Sequence, residues 1–451
     1  MPCSATLNQL VEILLAQPVN LSAAALTQLG SSIQTDTRLI KPGEVFVALR
    51  GEKFDGHEFV ATAIAKGAIA AIVDFDYENP GFPALQVKNT LEAYQKIARW
   101  WRDRWQIPVI GVTGSVGKTT TKELIAAVLA TKGRVHKTYG NFNNEIGVPK
   151  TLLELSPEHD YAVIEMAMRG KGQIAELTHI ANPTIGVITN VGTAHIELLG
   201  SEAAIAQAKC ELLAEMPKDS VAILNQDNPL LISTATKVWQ GKVITYGLSG
   251  GDISGQIIDN ETLAIEDIQL PLPLPGRHNV TNFLAALAVA KVVGIDWTSL
   301  QAGVNVDMPT GRSQRFALPN DVVILDETYN AAPEAMLAAL QLLADTPGKR
   351  KIAVLGAMKE LGERSPQLHQ RVGETVQKLK LDGLLVLVDG QDAEAIAKSA
   401  EGIPSECFTS HAELVARLKT FVQEGDRLLF KAAHSVGLDR VVNQLRAEFA
   451  S

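Results

Sequence analysis

Residues 109–123 read Val-Ile-Gly-Val-Thr-Gly-Ser-Val-Gly-Lys-Thr-Thr-Thr-Lys-Glu, an apolar run feeding a glycine-rich turn that ends in Gly117-Lys118-Thr119. That order of residue types suits a polyphosphate. Gly114, Ser115 and Gly117 let successive backbone N–H groups close on phosphate oxygens, Lys118 brings a point charge to the β/γ-phosphates, and the Thr119 hydroxyl can reach a magnesium ion. From Thr120 to residue 130 the pattern reads as a helix whose N-terminal dipole would face the anion. The eight-residue phosphate-loop pattern asks for glycine where Val112 stands, with Gly111 and Gly114 close by. The expected ligand is ATP or GTP.

Polar residues that end other apolar runs are the next candidates, because open α/β sheets bind ligands at the carboxyl ends of their strands. Glu165 follows Tyr-Ala-Val-Ile and suits a carboxylate that holds magnesium directly or through water. His195 lies beyond the run 184–190, on a loop, where a metal or phosphate could meet it. Lys209, within Ile-Ala-Gln-Ala-Lys-Cys-Glu, reads by itself as an ordinary exposed helix lysine. Asn279 and Asn282 open an Ala-rich helix, where an amide can cap the helix or read a base edge. Arg312 sits on a junction, placed to meet a γ-phosphate when domains close. The run 322–325 ends in Asp326-Glu327-Thr328-Tyr329-Asn330, offering carboxylate, aromatic and amide groups for ribose and adenine.

These groups must be positioned by more than one domain, since 451 residues exceed what one core organises. The composition is 46% hydrophobic and 20% charged, that of a globular chain. A net charge of −9 argues against a sequence-independent nucleic-acid role. The three cysteines, Cys3, Cys210 and Cys407, are too few and too dispersed for a disulfide framework. With no signal-like N-terminus and no long apolar run, the expectation is a cytoplasmic protein without a membrane span.

Alternating strand and helix patterns predict an α/β protein of three domains. Residues 1–84 form a small mixed α/β unit with strands at 45–49 and 70–73 and a helix at 59–66, ending in the turn-forming Asn79-Pro80-Gly81-Phe82-Pro83. Residues 85–312 form a central, mostly parallel sheet of the phosphate-loop ATPase type, entered through a helix at 91–105. Residues 313–451 form a Rossmann-like α/β unit with strands at 322–325, 351–355, 384–388 and 427–430.

The order of motifs resembles the ATP-dependent Mur ligases over residues 35–442. Thr35-Asp36-Thr37-Arg38, Lys41 to Ala48 and Asp55-Gly56-His57 are similar to the family's uridine-diphosphate-binding domain. Asn141-Phe142-Asn143-Asn144-Glu145-Ile146-Gly147-Val148-Pro149 is similar to the signature of the branch that adds D-alanyl-D-alanine to UDP-N-acetylmuramoyl-tripeptide. Glu165 to Gly170, Thr189 to Glu197 and His278 to Asn282 fall where the family has metal and nucleotide motifs. Position by position, the resemblance implies Lys118 on the ATP phosphates, Thr119 and Glu165 on one magnesium ion, and His195 on a second. Lys209 matches a lysine that carbon dioxide can carbamylate. Asn282 would contact the adenine side, Arg312 the terminal phosphate, and Tyr329 and Asn330, with Asp326 or Glu327, the nucleoside. Thr37, Arg38, Asp55, His57, Asn141, Asn143 and Asn144 would hold the UDP substrate.

The chain departs from the family pattern at Cys210, at Glu327, Thr328 and Ala332 in the ribose motif, and at Ala357, Ala432, Ala433 and His434 in the third domain. The resemblance implies a monomeric ligase of peptidoglycan precursor synthesis: the tripeptide carboxylate attacks the γ-phosphate, and the amine of the dipeptide displaces phosphate from the acyl phosphate. Two siblings share the ATP block, the ligase that adds the third residue and folylpolyglutamate synthase. The Asn-Asn-Glu-Ile-Gly-Val-Pro run disfavours the first and the uridine-type opening block the second. A phosphate-loop regulatory switch that adds nothing is the alternative of another class.

Overall fold

The computed structural model describes residues 3–78 and 81–450; Asn79 and Pro80 of the expected turn lie outside the described residues. Three sheets carry the architecture. The first has the spatial order Gln17–Val19, Ala84–Val87, Ala70–Asp74, Val45–Val47, Ile33–Gln34, parallel except where its outer strand Gln17–Val19 meets Ala84–Val87. It therefore runs past residue 84, to Val87. The helical turn expected at 59–66 is split, a 3-10 turn at Gly56–Phe59 followed by helix Val60–Ala65. The split follows from Asp55, whose carboxylate accepts the His57 backbone N–H at 2.9 Å and so starts the turn early.

The central sheet is parallel throughout: Ile253–Ser254, Lys242–Gly247, Val221–Asn225, Ile185–Ile188, Val109–Thr113, Tyr161–Glu165, Val135–Lys137. Its strands are nearly continuous apolar runs because helices cover both faces. Chain order reverses at Val109–Thr113, and the clefts beside such a strand are where doubly wound sheets bind ligands. Helix Thr90–Arg102 ties this sheet to the first. Its Trp101 indole donates to the Leu155 carbonyl at 2.9 Å, and buried Arg102 donates to the carbonyls of Ala181 and Asn182, each at 2.9 Å. A guanidinium there satisfies carbonyls left open at the end of helix Gln173–Ala181.

The third sheet is mixed, with Gln314–Leu318 antiparallel to Val322–Asp326, followed in parallel by Asp426–Lys431, Arg350–Gly356, Gly383–Leu387 and Ser405–Phe408. Residues 314 and 315, just after the junction residue Arg312, already belong to that antiparallel strand. One face of the first sheet (Val45, Ile72, Leu85) shares a continuous apolar core with Ile97, Leu152 and Ile164 of the central unit. The third unit closes its own core around Ile324, Leu355, Val386 and Leu429. What joins it to the centre is largely polar, which leaves it the part freest to move as a body. Among the described residues no helix is long and apolar enough to cross a membrane.

Candidate active site

Strand Val109–Thr113 runs into the glycine-rich loop, and helix Lys118–Ala130 begins directly after Gly117. Gly114 has φ +153°, and a Cβ there would lie 1.9 Å from Thr189 Oγ1. Gly117 has φ +79°, and a Cβ there would lie 2.8 Å from Asn282 Oδ1. Both glycines are needed because the neighbouring strand end and helix press on the loop. That strand end braces it: the Thr189 hydroxyl donates to the Val116 carbonyl at 2.7 Å, and Asn190 Oδ1 accepts from the Val116 N–H at 3.0 Å. Gly114→Ala is expected to lower stability by about 1–3 kcal/mol. Thermal melting of the variant beside wild type checks this, and an unchanged midpoint would refute the packing argument.

The loop opens on a cavity of about 1020 Å³ between the central and third units, lined also by Glu52 of the first. Lys118 is half-buried there; its ammonium donates to the loop's own carbonyls, Gly114 O at 2.8 Å and Ser115 O at 3.3 Å. Burial pushes its pKa below the usual lysine range, with Arg312 adding to and Glu165 opposing the shift. Lys431 is likewise depressed, by burial first, while Glu327 opposes and Arg312 adds to the shift. Lys118, Arg312 and Lys431, with Arg169 in the same lining, repel one another, and a polyphosphate is the kind of ligand that relieves that repulsion.

Glu165 ends strand Tyr161–Glu165 and is 2% exposed. Its Oε1 accepts from Asn143 Nδ2 at 2.8 Å, but its buried Oε2 has no hydrogen-bond partner among the described residues. The nearest cation, Lys122 Nζ at 3.8 Å, is engaged with the Thr138 carbonyl at 2.7 Å and with Glu123 at 2.9 Å. An orphaned carboxylate oxygen in a cavity that buried Thr119 also lines fits a hard cation.

His195 adopts φ +65° on the loop after Ile185–Ile188. Its Nδ1 pairs with Glu360 of the third unit; burial, followed by the charge of Lys118, lowers its pKa, and Glu360 opposes. Lys209 is not the exposed helix lysine that its local sequence suggested. It is 2% exposed on helix Glu202–Glu215, and among the described residues it makes no side-chain hydrogen bond or ion pair. Burial holds its pKa far below the lysine range, and Lys118 pushes it lower still. The neighbouring Cys210 is absorbed by the core at 1% exposure, its thiol pushed up to about 12 by burial.

The third unit contributes a stack. The Arg312 guanidinium lies 4.0 Å from the centroid of the Tyr329 ring, and Tyr329 stacks on His434 with centroids 5.4 Å apart. Of the adjacent carboxylates, Glu327 lines the cavity. Asp326 is 3% exposed, accepts from Thr328 Oγ1 at 2.6 Å, and has its pKa raised by burial. Asn330 lines the cavity too, its carbonyl accepting from Lys431 Nζ at 3.0 Å. Asn282 packs beneath the phosphate loop, its Oδ1 accepting from Thr121 Oγ1 at 3.2 Å. Among the departures, Ala357, Ala432 and Ala433 are core positions away from the lining, while Ala332 lines the cavity.

Asn141, Asn143 and Asn144 reach the cavity, but Thr37, Arg38, Asp55 and His57 do not. Arg38 is exposed and paired with Asp36 at 2.6 Å. His57 is buried with both ring nitrogens engaged, Nδ1 on Asp55 at 2.6 Å and Nε2 accepting the Asp74 N–H at 2.9 Å, which suits a structural role in the first sheet. Sequence reasoning assigned no role to Glu334, Glu360 or Lys431; Lys431 and Glu360 lie within the third-domain motifs that contain His434 and Ala357, and position after Pro333 at a helix start is the one local signal at Glu334.

A nucleotide cradle at the switch point of a parallel sheet, faced across a cleft by a second α/β unit, defines a class of ATP-using ligases, and the comparisons agree. The chain belongs to the Mur ligase family: residues 31–101 match "Mur ligase family, catalytic domain", residues 112–290 "Mur ligase middle domain", and residues 311–434 "Mur ligase, glutamate ligase domain". It is 60% identical to the UDP-N-acetylmuramoyl-tripeptide--D-alanyl-D-alanine ligase of Synechocystis, covering 93% of this chain and 92% of the relative. Its fold superposes on a crystal structure of MurF from Acinetobacter baumannii with TM-score 0.88 and 30% identity over 99% of each chain. MurF of Thermotoga maritima in complex with ADP aligns with TM-score 0.84 and 32% identity, over 93% of this chain and 98% of that one.

Proposed function

We propose that this chain works as follows. It is an ATP-dependent ligase that adds D-alanyl-D-alanine to UDP-N-acetylmuramoyl-tripeptide in peptidoglycan precursor synthesis. The observation that carries the chemistry is the pairing of the glycine cradle at Gly114–Gly117 with Lys118 and the orphaned Glu165 oxygen at one strand-end cleft.

A carboxylate is a poor electrophile, and ATP activates it. The tripeptide's terminal carboxylate attacks the γ-phosphate in line, giving an acyl phosphate and ADP, while Lys118 and Arg312 take up developing charge. The dipeptide amine then attacks the acyl carbon and phosphate departs. Magnesium, held by Thr119 and Glu165 and at a second position by His195 and Lys209, would supply further charge neutralisation on the phosphates. Gly114, Ser115, Gly117 and Thr120 would cradle the phosphates. Asn282, Glu327, Tyr329 and Asn330 face the cavity and would bind the rest of the nucleotide, while buried Asp326 would act through Thr328. Burial lowers the pKa of Lys209 and so favours the neutral amine that carbon dioxide requires, which supports Lys209 as a carbamate.

The first unit would take the UDP-sugar with Thr37, Arg38 and Asp55, the last held by His57, helped by Asn141, Asn143 and Asn144 from the central unit. Residues 313–451 would bring the amine. The expected working unit is a monomer, and dependence on ATP and UDP-linked precursors supports a cytoplasmic location.

The test is phosphate release from ATP with UDP-N-acetylmuramoyl-tripeptide, comparing D-alanyl-D-alanine, single amino acids and no amine. The expected result is release with the dipeptide alone, together with a UDP-linked pentapeptide. Release with a single amino acid, or without any substrate, overturns the reading.

A further inference from the structure

Glu334 is the second residue of helix Pro333–Asp345 in the third unit, and it crosses to the central one. Its Oε1 accepts from the Thr193 N–H at 2.7 Å and the Thr193 hydroxyl at 2.9 Å. The approach is so close that a Cβ on Gly192 would lie 2.7 Å from Oε1. Gly192 in turn donates its N–H to Ser115 Oγ of the phosphate loop at 2.9 Å. One carboxylate of the third unit is thus held two hydrogen bonds from the cradle, and Glu334 lines the cavity with Lys118 and Arg312. Its other oxygen, Oε2, is buried with no hydrogen-bond partner, and among the described residues no lysine, arginine or histidine forms an ion pair with Glu334.

An unpartnered carboxylate oxygen is costly, and beside a bound polyphosphate it would add charge repulsion. A cation must come between them during turnover. Lys118, Arg312 and Lys431 are already engaged with loop carbonyls, the Tyr329 ring and Asn330 respectively, Arg169 of the same lining faces Glu360 at 3.8 Å, and the magnesium ions proposed above belong to Glu165 and His195. The reaction itself brings one more cation, the ammonium of the incoming amine, whose ordinary pKa of about 8 leaves it mostly protonated at neutral pH.

We propose that Glu334 receives this ammonium on Oε2 and takes the proton it must lose before attack. One N–H bond breaks to Oε2 and its electron pair stays on nitrogen. The neutral amine forms the C–N bond, the acyl C–O bond breaks with its electrons leaving on phosphate, and nitrogen's surplus proton goes to that phosphate. Docking of Oε1 on Thr193 makes the receiving oxygen part of the closed cleft only, so the amine is accepted beside the site of activation. This rests on the ligase reading above.

The test is Glu334→Gln, whose amide oxygen can still accept from Thr193. With D-alanyl-D-alanine, kcat/KM is expected to fall roughly 10- to 100-fold, the scale of one charged hydrogen bond. Hydroxylamine is already neutral at neutral pH and needs no base. Hydroxamate formation from the acyl phosphate, and KM for ATP, should stay within about twofold of wild type. Unchanged dipeptide kinetics overturn the proposal. So does a parallel loss of hydroxamate formation, which would make Glu334 a group of the activation step or of cleft closure. If the variant does not fold, the wild-type enzyme decides: an analogue of the dipeptide with hydrogen in place of the amino group should compete at least roughly tenfold more weakly than a dipeptide that retains it. Equal competition overturns the proposal. Wild-type hydroxamate formation would stand in either case, which separates failure of this inference from failure of the ligase reading.

Discussion

Lys118→Ala is expected to lower ligation by on the order of 10³-fold, the effect of removing a preorganised cation from a phosphoryl-transfer site. The argument rests on how Lys118 is held. Its ammonium is parked on the Gly114 and Ser115 carbonyls at 2.8 and 3.3 Å, a short reach from any phosphate in the cradle. Burial already disfavours its charge, and nearby Arg312 disfavours it further. Folding therefore gains little from this ammonium, and the loss should be confined to catalysis. Steady-state phosphate release and ligand-free melting, measured together, check both halves. Activity within tenfold of wild type, or a collapse in melting temperature, would show that Lys118 serves the fold instead.

Lys209→Met should separate function from stability in the opposite direction. Activity is expected to fall by roughly 10²- to 10³-fold, because the carbamate anion that would help hold the second metal cannot form. The ligand-free protein is expected to melt higher, by the equivalent of about 1–4 kcal/mol, since an apolar side chain of similar volume replaces an unpaired buried amine. The sign of the pH dependence follows from the depressed pKa. Between the folded value and the unfolded value of about 10.4, the unfolded chain binds more protons at this position, so wild-type stability gains from rising pH there. The Met variant should lose that contribution. Melting scans across alkaline pH test it, and short carboxylates added to Lys209→Ala should restore part of the activity. A variant with full activity and no need of rescue removes the carbamate from the mechanism.

Cleft closure supplies the context for both. The first and central units share one apolar core, whereas the third unit meets the centre through Glu334 on Thr193 and Glu360 on His195. Such contacts between separately packed bodies exchange readily with water, unlike a shared core, so the geometry of Arg312, Tyr329 and His434 travels with the third unit.

The amino-acid sequence by itself determined what is local. The phosphate loop could be read because its glycines, Lys118 and Thr119 are contiguous and their roles are set by backbone geometry within one strand-turn-helix. Val322–Asp326 and Arg350–Gly356 were legible as strands from the runs 322–325 and 351–355, and Arg277–Val292 as the Ala-rich helix that Asn279 and Asn282 open, because apolar patterning follows burial along one element. The short antiparallel strands Gln17–Val19 and Gln314–Leu318 were not, since three to five half-exposed residues carry no distinctive period.

Only the tertiary structure decided which groups meet. Lys209 lies on a helix whose small and apolar residues occur all round, so its burial depends on what packs against it and not on its own periodicity. Asp326 and Glu327 are adjacent and chemically alike; the strand's alternation turns Asp326 inward to Thr328 and leaves Glu327 at the cavity. Arg312 against Tyr329 and His434, and Glu334 on Thr193, join residues from distant parts of the chain. Those contacts exist because separate sheets bring their strand ends to one cleft. Local pattern encodes the strands and helices, but the distance between side chains on different bodies is set by how those bodies pack.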